Sequence, residues 1–146
     1  MGTVFLKVAS SSSLTGKAPL DGQYEVYEYL LDEQDYFSNK DQIIEGLEYL
    51  HEKTNVQVVL MSSNESWSDS KAVKQYYKMF DDEAHVLIII PSNWSSSTTY
   101  YAIGDLADTV INDSAVDHLL DTVGNKHNGG TWKSSLTKFA DTLISE

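Results

Sequence analysis

The chain has 146 residues, a length that fits a single domain with a buried core. Its net charge of −12 repels phosphate backbones and anionic membrane surfaces, which argues against a nucleic-acid partner, although the acidity could also serve solubility alone. The chain contains no cysteine, which excludes disulfides, zinc–thiolate sites and thiol nucleophiles, and no apolar run is long enough to span a membrane.

The first predicted unit is an N-terminal extension over residues 1–22. Residues 3–8 have the pattern of a short apolar strand, and a linker containing serine, glycine and proline follows it. This strand is too short for a signal peptide, and Met1-Gly2 is typical of an added start. We therefore expect residues 23–146 to form a single domain, trimmed from a longer protein that carries a targeting or anchoring segment.

The first helix and the first buried strand of the domain come next. Asn39 and Gln42 form a capping-box-like start, and apolar residues at helical spacing predict a helix that ends near residue 53. Residues 56–61 are apolar apart from Gln57, which is typical of a strand covered on both faces. The segment before this helix, residues 24–37, is predicted to lie along the domain edge.

A second helix and a pair of strands follow. A cap at Ser68 or Asp69 predicts the helix, and its apolar stripe is predicted to contain four residues: Val73, Tyr76, Tyr77 and Phe80. Residues 86–90 form the only long uninterrupted apolar run, and residues 98–103 have the pattern of a strand. A turn at residues 92–97 would join these two strands into an antiparallel hairpin.

Two helices complete the chain, one capped by Asn112 or Asp113 and ending at Gly124, the other opened by Thr131. Because strands alternate with amphipathic helices, we predict an α/β fold, namely a three-layer α/β/α sandwich with a mixed sheet. The sheet is predicted to contain one right-handed parallel crossover, between residues 56–61 and 86–90, and the antiparallel hairpin.

Carboxylates gather at one end of this predicted sheet. If the hairpin forms, the acidic block Asp81-Asp82-Glu83 lies close to Asp105 and Asp108. The crossover brings Asp113 to the same end. No lysine or arginine occurs in residues 79–125 to neutralise these charges, and a hard cation such as calcium or magnesium would relieve their repulsion. The alternative is that these residues only end and cap helices.

The opposite end of the predicted sheet carries Ser62-Ser63-Asn64 and Ser92-Asn93-Trp94. It is the carboxyl end of the parallel strands, where open α/β sheets usually bind ligands, but plain turn chemistry explains the same residues. No nucleophile elbow, phosphate-binding loop or paired-histidine metal motif stands in a supporting context. The residues therefore predict a fold and an acidic site without naming a reaction.

Several local patterns, taken in order over residues 24–146, resemble the TPM domain family, which includes the thylakoid lumen acid phosphatase. Asp32 followed by Phe37-Ser38 resembles the opening Asp-x-Ala-x-x-Leu-Ser signature of that family. Four further stretches resemble family patterns: residues 54–59, 82–88, 101–104 and 109–116, the last of which is similar to a Gram-positive branch.

The resemblance implies a sandwich of β-α-β-α-β-β-α type, placement outside the cytoplasm beside a membrane anchor, calcium binding in some members and weak acid phosphatase activity in a few. It also implies Asp32 as a fifth ligand of the cation site formed by Asp81, Asp82, Asp105 and Asp113. We therefore expect an extracytoplasmic cation-binding or partner-binding module of a membrane-anchored protein, whose partner is another membrane or cell-surface protein. A weak metal-dependent acid phosphatase and a structural spacer without a ligand are the alternatives.

Overall fold

The structure is a computed structural model, and it describes residues 16–91, 99–124 and 126–144. The described strands are β1 (Leu30–Leu31), β2 (Gln57–Ser63), β3 (His85–Pro91) and β4 (Tyr100–Ile103). The described α-helices are α1 (Lys40–Thr54), α2 (Asp69–Met79), α3 (Asp113–Val123) and α4 (Gly129–Leu143), and a short 3-10 helix spans Ala107–Thr109. The predicted strand at residues 3–8 and the hairpin turn at residues 92–97 lie outside the described residues.

The described strands form one mixed sheet in the order β1-β2-β3-β4. β2 and β3 are parallel, with Gln57 opposite His85, and β3 and β4 are antiparallel, with Val86 opposite Ile103. The predicted parallel neighbours and the predicted antiparallel pairing are therefore confirmed. β2 and β3 start at what we call the amino end of the sheet, and they finish at its carboxyl end.

The sheet contains a second parallel crossover, which the sequence analysis did not predict, because β1 pairs parallel to β2. The Leu60 amide donates to the Tyr29 carbonyl oxygen at 2.9 Å. The Gln57 side chain accepts from the Tyr27 amide and donates to the Tyr27 carbonyl oxygen, at 2.9 and 2.7 Å. The crossover from β1 to β2 passes through α1, and the crossover from β2 to β3 passes through α2. Both step in the same direction across the sheet, but α1 and α2 lie on opposite faces. The two crossovers therefore have opposite hands, and one of them departs from the right-handed rule.

Helices cover both faces of the sheet, which confirms the three-layer sandwich. One face packs against α1, α3 and α4 through alternate strand residues: Val58, Leu60, Val86, Ile88 and Ile90. The other face packs against α2 through Val59, Leu87 and Ile89. Burial on both faces explains why β2 and β3 are almost continuously apolar.

The predicted apolar stripe of α2 was wrong at two positions. Val73 and Tyr77 are 45% and 54% exposed, whereas Tyr76 and Phe80 are each 1% exposed. Successive helical residues are about 100° apart around the axis, so only the row that contains Ala72, Tyr76 and Phe80 faces the sheet. Val73 and Tyr77 each follow a residue of that row, so they lie about 100° further around the helix axis and face solvent.

Side-chain caps form at two of the predicted helix starts. Ser68 Oγ accepts from the Lys71 amide at 3.1 Å, and the Asn112 side chain accepts from the Ala115 amide at 2.9 Å. Asn39 precedes α1 but has a left-handed φ of 52° and makes no side-chain cap, so the predicted capping box does not form. The last helix begins at Gly129 rather than at Thr131, and Asn128 is its N-cap.

The described part of the N-terminal extension lies against the domain. The Lys17 amide donates to the Leu143 carbonyl oxygen at 2.8 Å, and the Leu20 amide donates to the Thr54 carbonyl oxygen at 2.9 Å. The Asn55 side chain donates to the carbonyl oxygens of Leu20 and Gly22. Residues 17–22 therefore cross the amino end of the sheet. Within the three described ranges, no helix combines the length and apolar character that a membrane span requires.

Candidate functional site

Asp82 belongs to a buried network at the amino end of the sheet. Its Oδ1 lies 2.6 Å from Nδ1 of His85 and accepts from the Ala84 amide at 2.9 Å. His85 is 1% exposed, stacks on Phe80 with ring centroids 4.3 Å apart, and places Nε2 2.9 Å from the carbonyl oxygen of Glu25. One oxygen of Asp82 is therefore already occupied, and the network ties the segment before β1 to the start of β3.

Asp105 follows β4 and lies beside Glu83, as the hairpin prediction required. The Asp105 amide donates to Glu83 Oε1 at 2.9 Å, and the Tyr77 hydroxyl donates to both Glu83 oxygens at 2.9 and 2.8 Å. A Cβ at Gly104 would collide with the Glu83 carbonyl oxygen, so this close approach requires glycine.

Three carboxylates influence one another at the same end. Burial raises the pKa of Asp108, and the negative charges of Asp113 and Asp105 raise it further, while Lys17 lowers it. Asp108 was not among the five predicted ligands, yet it connects two of them electrostatically. Lys17 supplies a nearby positive charge that the sequence analysis missed, because no local pattern shows that the extension folds back to this end.

Asp32 lies at the opposite, carboxyl end of the sheet. Its Oδ1 accepts from the Tyr36 amide at 2.8 Å and the Ser62 hydroxyl at 2.6 Å, and its Oδ2 accepts from the Phe37 amide at 2.9 Å. Lys40 Nζ is 3.2 Å from Oδ2, and the Asp32 side chain is 2% exposed. Burial alone would raise the pKa of Asp32, but the hydrogen bonds from Ser62, Phe37, Tyr36 and Lys40 hold it below its ordinary value.

The predicted ligands are consequently not brought together as one set. Asp32 is separated from the amino end by the length of seven-residue β2, about 20 Å, so a single ion could not bind Asp32 and the other four carboxylates at once. Asp81 is exposed next to Asp82, whereas Asp105 and Asp113 lie near Asp108. In the part of the chain that the structure describes, no three histidine, aspartate or glutamate residues converge as ligands of one ion.

A cleft of about 380 Å³ opens at the carboxyl end of β1 and β2, on the side of α2. Its lining includes apolar and polar side chains: Leu31, Met61, Met79, Trp67, Ser63 and Lys78. A second hollow of about 300 Å³ shares Asn64, Glu65 and Trp67 with this cleft and extends to Pro91 and Tyr100. The two hollows form a surface across the carboxyl ends of β1, β2 and β3 and the start of β4.

Trp67 is held in a fixed position where the two hollows meet. Its Nε1 donates to Ser63 Oγ at 2.9 Å, and Lys71 Nζ lies 4.5 Å from the centroid of its ring. Lys71 also pairs with Glu65 at 2.9 Å. Ser62 and Ser63 belong to β2 rather than to a turn, and Ser92-Asn93-Trp94 lies outside the described residues.

The fold is similar to two solved domains. One is the N-terminal domain of a protein from P. gingivalis, with 12% identity, a TM-score of 0.58, and coverage of 77% of this chain and 82% of that one. The other is the N-terminal domain of the cg2496 protein from Corynebacterium glutamicum, with 10% identity, a TM-score of 0.55, and coverage of 86% and 84%. No protein-family model and no curated protein matches the chain. At these identities the likeness concerns the fold alone.

Proposed function

We propose that this chain is a binding module rather than an enzyme, and that its ligand occupies the cleft at the carboxyl end of β1 and β2. The observation that supports the proposal is the position of the cleft, because open α/β sheets bind ligands outside the carboxyl ends of their strands. Its volume of about 380 Å³ and its apolar walls with a few polar groups are typical of small-molecule sites. The Asp32–Ser62 bond orders the chain beside it.

The chemistry of the cleft supports binding more than catalysis. The only hydroxyls that line its described part belong to Ser62 and Ser63. Ser62 donates to a carboxylate that is already bonded to two amides, and Ser63 accepts from two N–H groups. None of the described lining residues is histidine. The lining therefore shows no hydroxyl paired with a free base, which is the usual arrangement of an activated nucleophile.

We also propose that the module is TPM-like and works outside the cytoplasm in a membrane-anchored protein, where its partner is another membrane or cell-surface protein. The ordered sequence stretches that resemble the family support this part, and the α/β sandwich that it shares with two bacterial N-terminal domains is consistent with it. Placement and partner rest on the family resemblance alone.

The cleft can be tested by recording amide chemical shifts of the full chain against a library of small fragments. We expect shifts to concentrate at Ser63, Trp67 and Gln75, which line the cleft. A Gln75→Leu variant should weaken binding, and a Gln42→Leu variant, which changes an exposed glutamine of α1, should not. Shifts confined to the groove that His118 and Phe139 line between α3 and α4 would contradict the proposal.

A hard-cation site at the amino end is a second proposal, and the raised pKa of Asp108 supports it. The charges of Asp113 and Asp105 contribute to that rise, and calcium or magnesium would relieve the repulsion. Because no three carboxylates of the described residues converge as ligands and Lys17 lies nearby, we expect weak binding, with a dissociation constant of about 10⁻³ M.

Calcium titration followed by amide shifts tests this second proposal. We expect shifts near residues 105–113 that are lost in Asp108→Asn and kept in Asp41→Asn, which removes an exposed carboxylate from the first turn of α1. Shifts centred on Asn64 would place the ion at the carboxyl end. No response at millimolar calcium would show that the carboxylates serve only the structure.

A further inference from the structure

The Ser63 hydroxyl at the cleft has a proton that no described residue accepts. Ser63 is 7% exposed, and its Oγ accepts from the Glu65 amide at 3.1 Å and from Trp67 Nε1 at 2.9 Å. A hydroxyl has two acceptor lone pairs and one O–H donor, so both lone pairs are committed. A ligand atom that bonds to this hydroxyl must therefore be a hydrogen-bond acceptor.

The helix that forms one wall of the cleft is basic, although the chain as a whole is acidic. α2 carries Lys71, Lys74 and Lys78, with Asp69 as its single acid, in a chain of net charge −12. Lys71 is already paired with Glu65, whereas Lys78 lines the cleft and forms no ion pair within the described ranges. Lys78 therefore offers the cleft a positive charge that an anionic ligand could pair with.

The remaining lining limits the size of the ligand's negative charge and gives the ligand an apolar part. Glu33 lines the same cleft as an exposed acid, so it opposes a dianion more strongly than a monoanion. Leu31, Met61 and Met79 supply apolar surface, and methionine side chains adapt to tails of different shape. A carboxylate on an apolar tail matches these features better than a phosphate does.

We propose that the cleft binds a monocarboxylate with an apolar tail, which accepts hydrogen bonds from Ser63 Oγ–H and Lys78 Nζ and packs its tail against Leu31, Met61 and Met79. This inference rests on the proposed function, because it names the ligand class of the same cleft. A free organic acid and the C-terminus of a peptide present the same group, and the experiment distinguishes these two sources.

The test compares matched acids and amides by amide-shift titration of the full chain. Hexanoate and acetyl-leucyl-leucine represent the two sources, and hexanamide and acetyl-leucyl-leucinamide are their neutral controls. We expect each acid to bind at least about tenfold more tightly than its amide, since a charge-assisted hydrogen bond is lost. Tighter binding of hexanoate supports a free acid as the ligand, and tighter binding of acetyl-leucyl-leucine supports a peptide C-terminus.

Two lysine variants separate a direct contact from the general field of α2. Lys78→Gln should weaken binding of the acids about tenfold and leave the amides unchanged, whereas Lys74→Gln, on an exposed lysine outside the described lining, should change neither. Ser63→Ala should weaken the acids as well, with the amide spectrum as a check that the variant is folded.

Equal affinities for acids and amides, or equal effects of the two lysine variants, would overturn the carboxylate assignment. In that case, library fragments that still shift Ser63 and Trp67 would leave the proposed binding function standing. If no fragment and no acid shifted these residues, the proposed function would fail together with this inference.

Discussion

Asp32 at the carboxyl end of the sheet and Asp108 at the amino end are carboxylates whose pKa values move in opposite directions. Burial acts upward on both, but Asp32 receives two amides, a hydroxyl and a lysine, and its pKa is lowered. Asp108 faces the charges of Asp113 and Asp105, and its pKa is raised. The negative charges near Asp108 are thus poorly neutralised, whereas Asp32 is held by hydrogen bonds and has a structural role. The comparison teaches that hydrogen-bond partners, rather than the number of neighbouring acids, decide the role of a carboxylate.

The largest expected effect is the loss of the carboxylate at the carboxyl end. Asp32→Ala leaves the partly buried amides of Tyr36 and Phe37 and the Ser62 hydroxyl without their acceptor, which should lower the free energy of unfolding by about 3 kcal/mol. Urea denaturation measures this loss in the free energy of unfolding. Asp35→Asn is the control, because that carboxylate is 86% exposed, its ion-pair partner among the described residues is Lys40, and asparagine tolerates the left-handed φ of 52° at this position. It should cost less than about 0.5 kcal/mol.

A somewhat smaller effect is expected from the buried amide at the amino end. Gln57→Leu keeps a similar volume but removes both hydrogen bonds to the Tyr27 main chain, so the free energy of unfolding should fall by about 2 kcal/mol. Hydrogen exchange should quicken at the Tyr27 amide before it changes in β3. Unchanged exchange there would show that Gln57 does not hold this segment to the sheet.

The dependence of stability on pH sharpens the same comparison. Burial lowers the pKa of His51, and the nearby His85 lowers it further, so below about pH 6.5 the unfolded chain binds a proton that the folded chain does not. Stability should therefore fall as pH drops through this window. The lowered pKa of Asp32 predicts a second loss below about pH 3.9, while the raised pKa of Asp108 acts in the opposite sense above that pH.

Urea denaturation between pH 7 and pH 3 measures these two losses. His51→Gln should flatten the first and leave the second, and Asp32→Asn should flatten the second and leave the first. A pH profile that is the same in both variants as in the parent chain would contradict the assignment of these groups.

A small gain in stability is expected when one of the crowded carboxylates is neutralised. Asp108→Asn removes repulsion with Asp113 and Asp105 and should raise the free energy of unfolding by up to about 0.5 kcal/mol in low salt, because the residue is exposed and its charge is screened. The gain should disappear in 1 M salt. A loss of stability would indicate that Asp108 holds a favourable partner.

The smallest expected effect is catalytic. Phosphoryl transfer depends on cations that stabilise the transferred phosphoryl group. At the amino end of the sheet, Lys17 is the basic residue whose positive charge acts on Asp108. We therefore expect hydrolysis of an aryl phosphate to be at most marginal with calcium or magnesium present, and unchanged in Asp105→Asn. Robust metal-dependent turnover that Asp105→Asn abolishes would make a phosphatase the leading interpretation.

Local patterns were enough to predict much of the fold. β2 and β3 are almost continuous apolar runs. The caps at Ser68 and Asn112 are also local, because each side chain accepts a hydrogen bond from the amide three residues later. Two-residue β1 has no such pattern, because neighbours far along the chain hold it in the sheet. The apolar stripe of α2 was predicted wrongly at Val73 and Tyr77, because this helix has more apolar residues than it can bury against the sheet.

By itself, the sequence determined where β2, β3 and the helices form, because hydrophobic period and capping act between residues close in the chain. Only the tertiary structure decided which distant groups the polar side chains bind. Asp32 bonds to Ser62 and Gln57 to Tyr27, each 30 positions apart, and Lys17 is brought close to Asp108 by chain folding. Such contacts depend on where the backbone carries each group, so a predicted cluster of five acids became two separate ends with different chemistry.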